Sequence, residues 1–227
     1  MNESQYFDIS PVISEKISVF PGDVGFKRTT SLHFDKGDNL VLSSIESTLH
    51  LGAHADGPVH YAKGEPGIGE RDLSYYMGRC LVLHATASRG ERIGRQHLSD
   101  RWQQVTDWGA SRVLIRTGSF PDPNHWNGDF NSIESSFLED LAGAGVRLIG
   151  IDTPSVDAEQ DKVLRSHSVV ARHDMAILEG LVLCGVAEGY YTLMALPLKI
   201  QGADASPVRA VLFRNPDLLA TCGVEKA

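Results

Sequence analysis

The sequence predicts an α/β fold: one domain over residues 1–227, built on a mixed β-sheet with few helices. Short apolar, β-branched stretches recur along the whole chain, whereas helical patterning is confined to three stretches. The order strand, helix, strand across Arg112–Asp152 implies a crossover between parallel strands, right-handed as such crossovers are. A length of 227 residues suits one large domain. No internal repeat, low-complexity tract or linker divides it.

The opening third reads as strands. Tyr6–Ser10 alternates apolar and polar residues, and Pro21-Gly22-Asp23 signals a turn. Phe26–Phe34 and Leu40–His50 alternate and are rich in β-branched residues, and Arg79–Ala85 reads as a buried strand. The middle changes character. Ile93–Val105 is expected to be a helix, Arg112–Arg116 a buried strand, and Ile133–Leu141 an amphipathic helix stopped by Gly143 and Gly145. Val146–Asp152 is another apolar strand and Asp161–Arg172 a helix. Ile177–Leu183, Tyr190–Leu196 and Val208–Phe213 complete the sheet. Ser119–Phe130 is a long polar loop placed to cover a site.

Composition narrows the function. With 21 basic and 29 acidic residues the formal net charge is −8, which disfavours nucleic acid or an anionic membrane as partner. No apolar run is long enough to span a bilayer, and the N-terminus has no basic start or apolar stretch of a secretory signal. Cys80, Cys184 and Cys222 are odd in number and scattered, the pattern of reduced cytoplasmic thiols rather than of a cysteine zinc site. No Gly-x-Ser-x-Gly elbow, Walker loop or dinucleotide fingerprint follows a strand.

One segment concentrates chemistry: His50-Leu51-Gly52-Ala53-His54-Ala55-Asp56-Gly57-Pro58-Val59-His60. Imidazole and carboxylate are the usual ligands of a hydrolytic divalent metal. In an extended strand His50, His54 and Asp56 share one face, with Gly52 leaving space between the histidines. In a helix Asp56 would point away from His54, and Gly52 and Gly57-Pro58 oppose a helix. The expectation is a strand running into a loop that delivers three ligands to one point. Beyond the break, three roles stay open to His60: fourth ligand, general acid–base, or packed loop histidine.

A second region holds His167 and Glu179. Glu179 sits inside the apolar run Ile177–Leu183, where a carboxylate needs a metal, an arginine or another partner to be buried. Taken alone, either residue reads equally as a hydrogen-bonded structural group. His173 falls near the end of its helix, where an imidazolium suits the helix dipole. His84 reads as a satisfied core histidine, and His33, His97 and His125 as structural or exposed. Gly150–Ser155 reads as a strand-ending turn fixed by Asp152 and Pro154. Ser206-Pro207 reads as strand entry and Arg209 as a buried ion-pair partner.

These residues resemble the cyclase-like metal-dependent hydrolase family, whose pattern His-x-Gly-Thr/Ala-His-x-Asp-x-Pro-x-His is matched by residues 50–60. The likeness continues in Pro21–Asp23, Leu148–Ser155, Met175–Gly180, Ala195–Lys199 and Asp204–Leu212, and the C-terminal stretches favour the formamidase branch. The resemblance implies a swivelling β/β/α-type fold, a homodimer, and two divalent metal ions per subunit, usually zinc, with manganese compatible. Carried over by position, one ion takes His50, His54 and Asp56. The second takes the bridging Asp56 with His167 and Glu179, and the acid–base falls on His60. The implied reaction, part of tryptophan catabolism, hydrolyses N-formyl-L-kynurenine, a small aryl amide, to L-kynurenine and formate. A two-metal-activated water is the nucleophile and His60 the proton donor. One position departs from the branch: Phe20 replaces the tryptophan that precedes Pro-Gly-Asp and serves the substrate, so the indole N–H donor is lost. That departure keeps a sister reaction open, the opening of isatin or another cyclic amide or lactone. A non-catalytic metal-binding protein is the more distant alternative.

Overall fold

The computed structural model describes residues 5–219. Thirteen strands are present among them: β1 (Tyr6–Asp8), β2 (Lys27–Leu32), β3 (Leu42–Glu46), β4 (His54–Asp56), β5 (Met77–His84), β6 (Arg92–Ile93), β7 (Arg112–Arg116), β8 (Ser132–Ile133), β9 (Leu148–Ile151), β10 (Ala176–Glu179), β11 (Gly189–Met194), β12 (Ala205–Pro207) and β13 (Val211–Phe213). Three α-helices accompany them: α1 (Gln103–Trp108), α2 (Ser135–Gly143) and α3 (Arg165–Arg172). Nine strands form one mixed sheet in the order β1-β13-β11-β5-β7-β9-β10-β4-β12. Its centre, β5-β7-β9-β10, is parallel, and the flanking pairs are antiparallel. The expected α/β architecture is therefore present, including the β7-α2-β9 crossover between parallel neighbours.

The apolar runs are continuous because both faces of the central sheet are covered. Along β5, Cys80 and Val82 enter one core cluster, while Leu81 and Leu83 enter the other. The second cluster is roofed by Phe137, Leu138 and Leu141 of α2 and by Val169 and Val170 of α3. Each such fully buried aliphatic side chain contributes roughly 1.5–3 kcal/mol. Among the described residues β2 and β3 pair only with each other, and both lie mostly exposed, with Ile45 70% accessible. No helix among the described residues is long and apolar enough to cross a membrane.

Several expected boundaries move. Ile93–Val105 is not a helix: strand β6 leads into two 3-10 turns, and α1 starts only at Gln103. Gly94 interrupts the periodic pattern there, and Ser99 caps a separate turn by accepting from Arg101 N–H. α2 starts at Ser135, because Ser132–Ile133 is spent on pairing with β6. α3 starts at Arg165, because Leu164 adopts the left-handed conformation (φ 52°). β10 stops at Glu179, where Gly180 (φ 63°) turns the chain. The last apolar run, Val208–Phe213, forms strand only from Val211, with β12 before it. Leu40–His50 likewise pairs only over β3. Arg209 is not buried: it pairs with Asp8 at the surface. His84 is a satisfied histidine, its Nε2 2.9 Å from Val186 O. Cys80 is buried and Cys184 exposed, both unpaired, and Cys222 lies outside the described residues.

Candidate metal centre

The centre is built where β4 lies between β10 and β12. The segment from His50 to Asp56 is not one strand. The chain turns at Gly52 (φ 58°), and only His54–Asp56 is extended. Shared-face parity therefore holds for His54 and Asp56, while His50 arrives through the turn. Gly52 carries a second constraint. A Cβ on Gly180 would stand 2.1 Å from Gly52 O, so the segments bearing His50 and Glu179 meet through two glycines.

His50, His54, Asp56, His167 and Glu179 converge. His50 Nδ1 lies 3.1 Å and His54 Nε2 3.6 Å from Asp56 Oδ1. His167 Nε2 lies 3.5 Å from the other oxygen, Asp56 Oδ2. Glu179 is split in the same way: Oε2 is 3.3 Å from His54 Nε2, and Oε1 is 3.9 Å from His167 Nε2. Asp56 thus faces three imidazoles and Glu179 two, each carboxylate dividing them between its two oxygens. Donor atoms sharing a tetrahedral zinc at 2.0–2.2 Å are about 3.4 Å apart, close to the 3.1 and 3.6 Å that separate His50 Nδ1 and His54 Nε2 from Asp56 Oδ1 and the 3.5 Å that separates His167 Nε2 from Asp56 Oδ2.

The hydrogen-bond inventory agrees with metal ligation. Asp56 Oδ1 and Oδ2 and His54 Nε2 are buried without a hydrogen-bond partner, which is costly unless a cation occupies the space between them. The opposite ring nitrogens are engaged: His54 Nδ1 is 2.9 Å from Gly52 O, His167 Nδ1 2.8 Å from Asp157 Oδ2, and His50 Nε2 3.1 Å from Asp204 Oδ2. These contacts fix the tautomers that point a lone pair inward. Glu179 Oε1 also accepts Val156 N–H at 2.6 Å.

Charge follows geometry. Burial opposes ionisation of Asp56, but His167, His50 and His54 outweigh it and hold the carboxyl well below its ordinary range. Burial likewise opposes the cationic form of His50, and Asp56 outweighs it, raising the imidazole to about 9. His167 is raised against burial to about 10 by Asp157 and Asp56. His60 differs: burial dominates and lowers it below the ordinary histidine value. Its ring lies 4.3 Å from that of His50 and 6.0 Å from that of His167, on a short 3-10 turn beside the centre.

The centre opens into a cavity of about 400 Å³ lined by His50, His54, His60, His167 and Glu179. Phe20 and Trp126 form its aromatic wall, edge to face at 5.2 Å. Glu159 steadies Trp126 by accepting the indole N–H at 2.8 Å. The Ser119–Phe130 loop contributes Phe120, Pro123 and Trp126 to the lining, as its length and polarity suggested. Asp152 braces the neighbouring segment after β7, accepting from Thr117 N–H and Gly118 N–H at 2.8 and 2.9 Å, and it also lines the cavity. Two participants escape sequence reasoning. Asp157 and Asp204 lie outside any ligand spacing, and only the fold brings them to His167 and His50.

Comparison with known proteins is consistent with this geometry. The family model described as "Putative cyclase" matches residues 7–158. A kynurenine formamidase of Bordetella petrii is 43% identical over 206 residues, covering 91% of this chain and 96% of the relative. One from Maricaulis maris is 38% identical over 213 residues, covering 94% of this chain and all of the relative. A solved structure described as a potential metal-dependent hydrolase with cyclase activity superposes with TM-score 0.77 at 25% identity, covering 92% of this chain and 98% of that one. Isatin hydrolase A of Labrenzia aggregata shares the fold, with TM-score 0.77 at 19% identity and coverage of 91% and 92%.

Proposed function

The chain belongs to the cyclase family of hydrolases, and from that premise we propose that it hydrolyses N-formyl-L-kynurenine to L-kynurenine and formate. The observation that carries the reading is the buried, unpartnered set of His54 Nε2 and both Asp56 oxygens facing an aromatic-walled cavity. The 38–43% identity to kynurenine formamidases over nearly the whole chain supports the substrate.

The donor set fits two divalent ions. His50, His54 and Asp56 would hold one, and Asp56, His167 and Glu179 the other. Asp56 as the shared ligand is supported by its Oδ1 facing His50 and His54 while its Oδ2 faces His167. Histidine with carboxylate suits zinc, and manganese is compatible. Bound there, divalent metal supplies Lewis-acid chemistry, acidifying water and polarising a carbonyl.

The protein's own groups do the rest. Phe20 and Trp126 receive the aniline ring against their faces and edges and aim the formyl group at the centre. Lowered by burial, His60 is neutral near pH 7 and can take a proton from the attacking water. The leaving group is an aryl amine, a poor anion, so nitrogen must be protonated as the C–N bond breaks. His60 returns the proton there. Asp204 Oδ2, 4.0 Å from His60 Nδ1, is placed to orient that ring.

The exposed β2–β3 hairpin, a two-stranded unit of marginal stability alone, is suited to pack on a second copy in a homodimer. Unpaired Cys80 and Cys184 suit a reducing cytoplasm. A metal-supplemented assay on N-formyl-L-kynurenine and isatin side by side tests the reading. Formate release from the first is expected. Ring opening of isatin without formate release would replace it with the isatin reading, which Phe20 in place of tryptophan keeps open.

A further inference from the structure

Lys162 is the single lysine or arginine lining the cavity among the described residues. It is exposed, and no hydrogen bond or ion pair engages it among those residues. The carboxylates nearby are already committed. Asp161 is held by Arg92 at 2.6 Å and accepts Val163 N–H at 2.8 Å and Leu164 N–H at 3.2 Å. Glu159 takes the Trp126 indole N–H, and Asp23 the Thr48 hydroxyl at 2.8 Å.

The segment bearing Lys162 is also firmly placed. Asp161 pins it from both oxygens, and the left-handed Leu164 then turns the chain into α3, which carries His167. The backbone of Lys162 is thus held five residues before His167, with its flexible side chain on the cavity lining. An unpaired ammonium on the lining of a cavity recognises an anion of compact charge, chiefly a carboxylate.

We propose that Lys162 anchors the carboxylate of an amino-acid side arm on the aryl formamide, so that the enzyme selects charged formanilides over neutral ones. This rests on the function proposed above and deepens it. A substrate of this class places its ring on the Phe20–Trp126 wall, its formyl carbon at the centre and its α-carboxylate at Lys162. A neutral cyclic amide has nothing to offer Lys162. The committed carboxylates of Asp23 and Glu159 on the same lining leave the α-ammonium in a favourable field and the α-carboxylate dependent on the lysine.

The test compares N-formyl-L-kynurenine with 2-formamidoacetophenone, which keeps the formanilide and ketone but lacks the amino-acid arm. Lys162→Ala is expected to lower kcat/KM about tenfold for the first, mainly through KM, with less than about twofold change for the second. Lys162→Arg should recover most of the loss. Equal loss on both substrates, or none on either, overturns the proposal. Calorimetric titration of metal-loaded protein with the products L-kynurenine and 2-aminoacetophenone separates this from the function itself. If neither formamide is hydrolysed, the functional reading falls. The Lys162 inference then stands if Lys162→Ala weakens L-kynurenine alone, and falls if it weakens both ligands or neither.

Discussion

Glu179 stands directly across from His54 in the antiparallel β4–β10 pair, and its Oε2 is 3.3 Å from His54 Nε2. A carboxylate at the end of an apolar strand thereby meets a histidine more than a hundred residues earlier in the chain. Glu179→Gln keeps an oxygen for the Val156 N–H but loses the charge. We expect a folded protein that binds about one divalent ion fewer per chain, measured by elemental analysis after dialysis. Full metal content in that variant would remove Glu179 from the ligand set.

His60 is predicted to act on protons and not to hold metal. His60→Ala should keep its metal content and lose about 100- to 10,000-fold in kcat. Parallel loss of metal and turnover would make His60 a ligand instead.

Metal uptake should release protons. Without a cation, His50 is raised to about 9 and His167 to about 10 by the neighbouring carboxylates, so both are charged at neutral pH. Ligation needs their lone pairs, so affinity weakens as pH falls. The metal-free protein has the opposite dependence. Because the folded values are raised, the stability these groups contribute is fully present below about 6.5, the ordinary histidine value, and is lost as pH rises through about 9 and 10. Calorimetric titration with zinc in buffers of different ionisation enthalpy reads the protons directly. Equal heats in both buffers would contradict it.

Trp126 should matter for binding more than for chemistry. Trp126→Ala removes the partner of Phe20 and is expected to raise KM about fivefold with a smaller change in kcat. An unchanged KM would place the substrate ring elsewhere.

The sequence made the candidate ligands legible and their delivery less so. His50, His54 and Asp56 announce themselves by residue type, but period-two parity misplaces the backbone, because a left-handed Gly52 does the turning that parity ascribes to a strand. Glu179 is legible as an anomaly, a charge in an apolar run. Asp157 and Asp204 are not, since a carboxylate in a loop is ordinary until tertiary structure sets it against an imidazole. The central strands were readable because both faces are buried, which leaves uninterrupted apolar runs. The first expected helix failed because Gly94 and the cap at Ser99 cut a periodic stretch into turns.

The meeting of Gly52 and Gly180 can be tested as a joint. Gly180→Ala places a methyl group 2.1 Å from a carbonyl oxygen and also opposes the positive φ. We expect a cost of about 2 kcal/mol or more in urea denaturation, together with weakened metal binding. Normal stability would show that the two segments can separate without loss.

That joint also sets when the centre can exist. One half of the donor set is made early in synthesis, by residue 56, and the other half waits for residue 179 to cross behind it. A growing or partly unfolded chain therefore holds only a weak, open cluster. Tight metal capture would then be a chemical stamp of completed folding, and a chelator would distinguish finished molecules from unfinished ones.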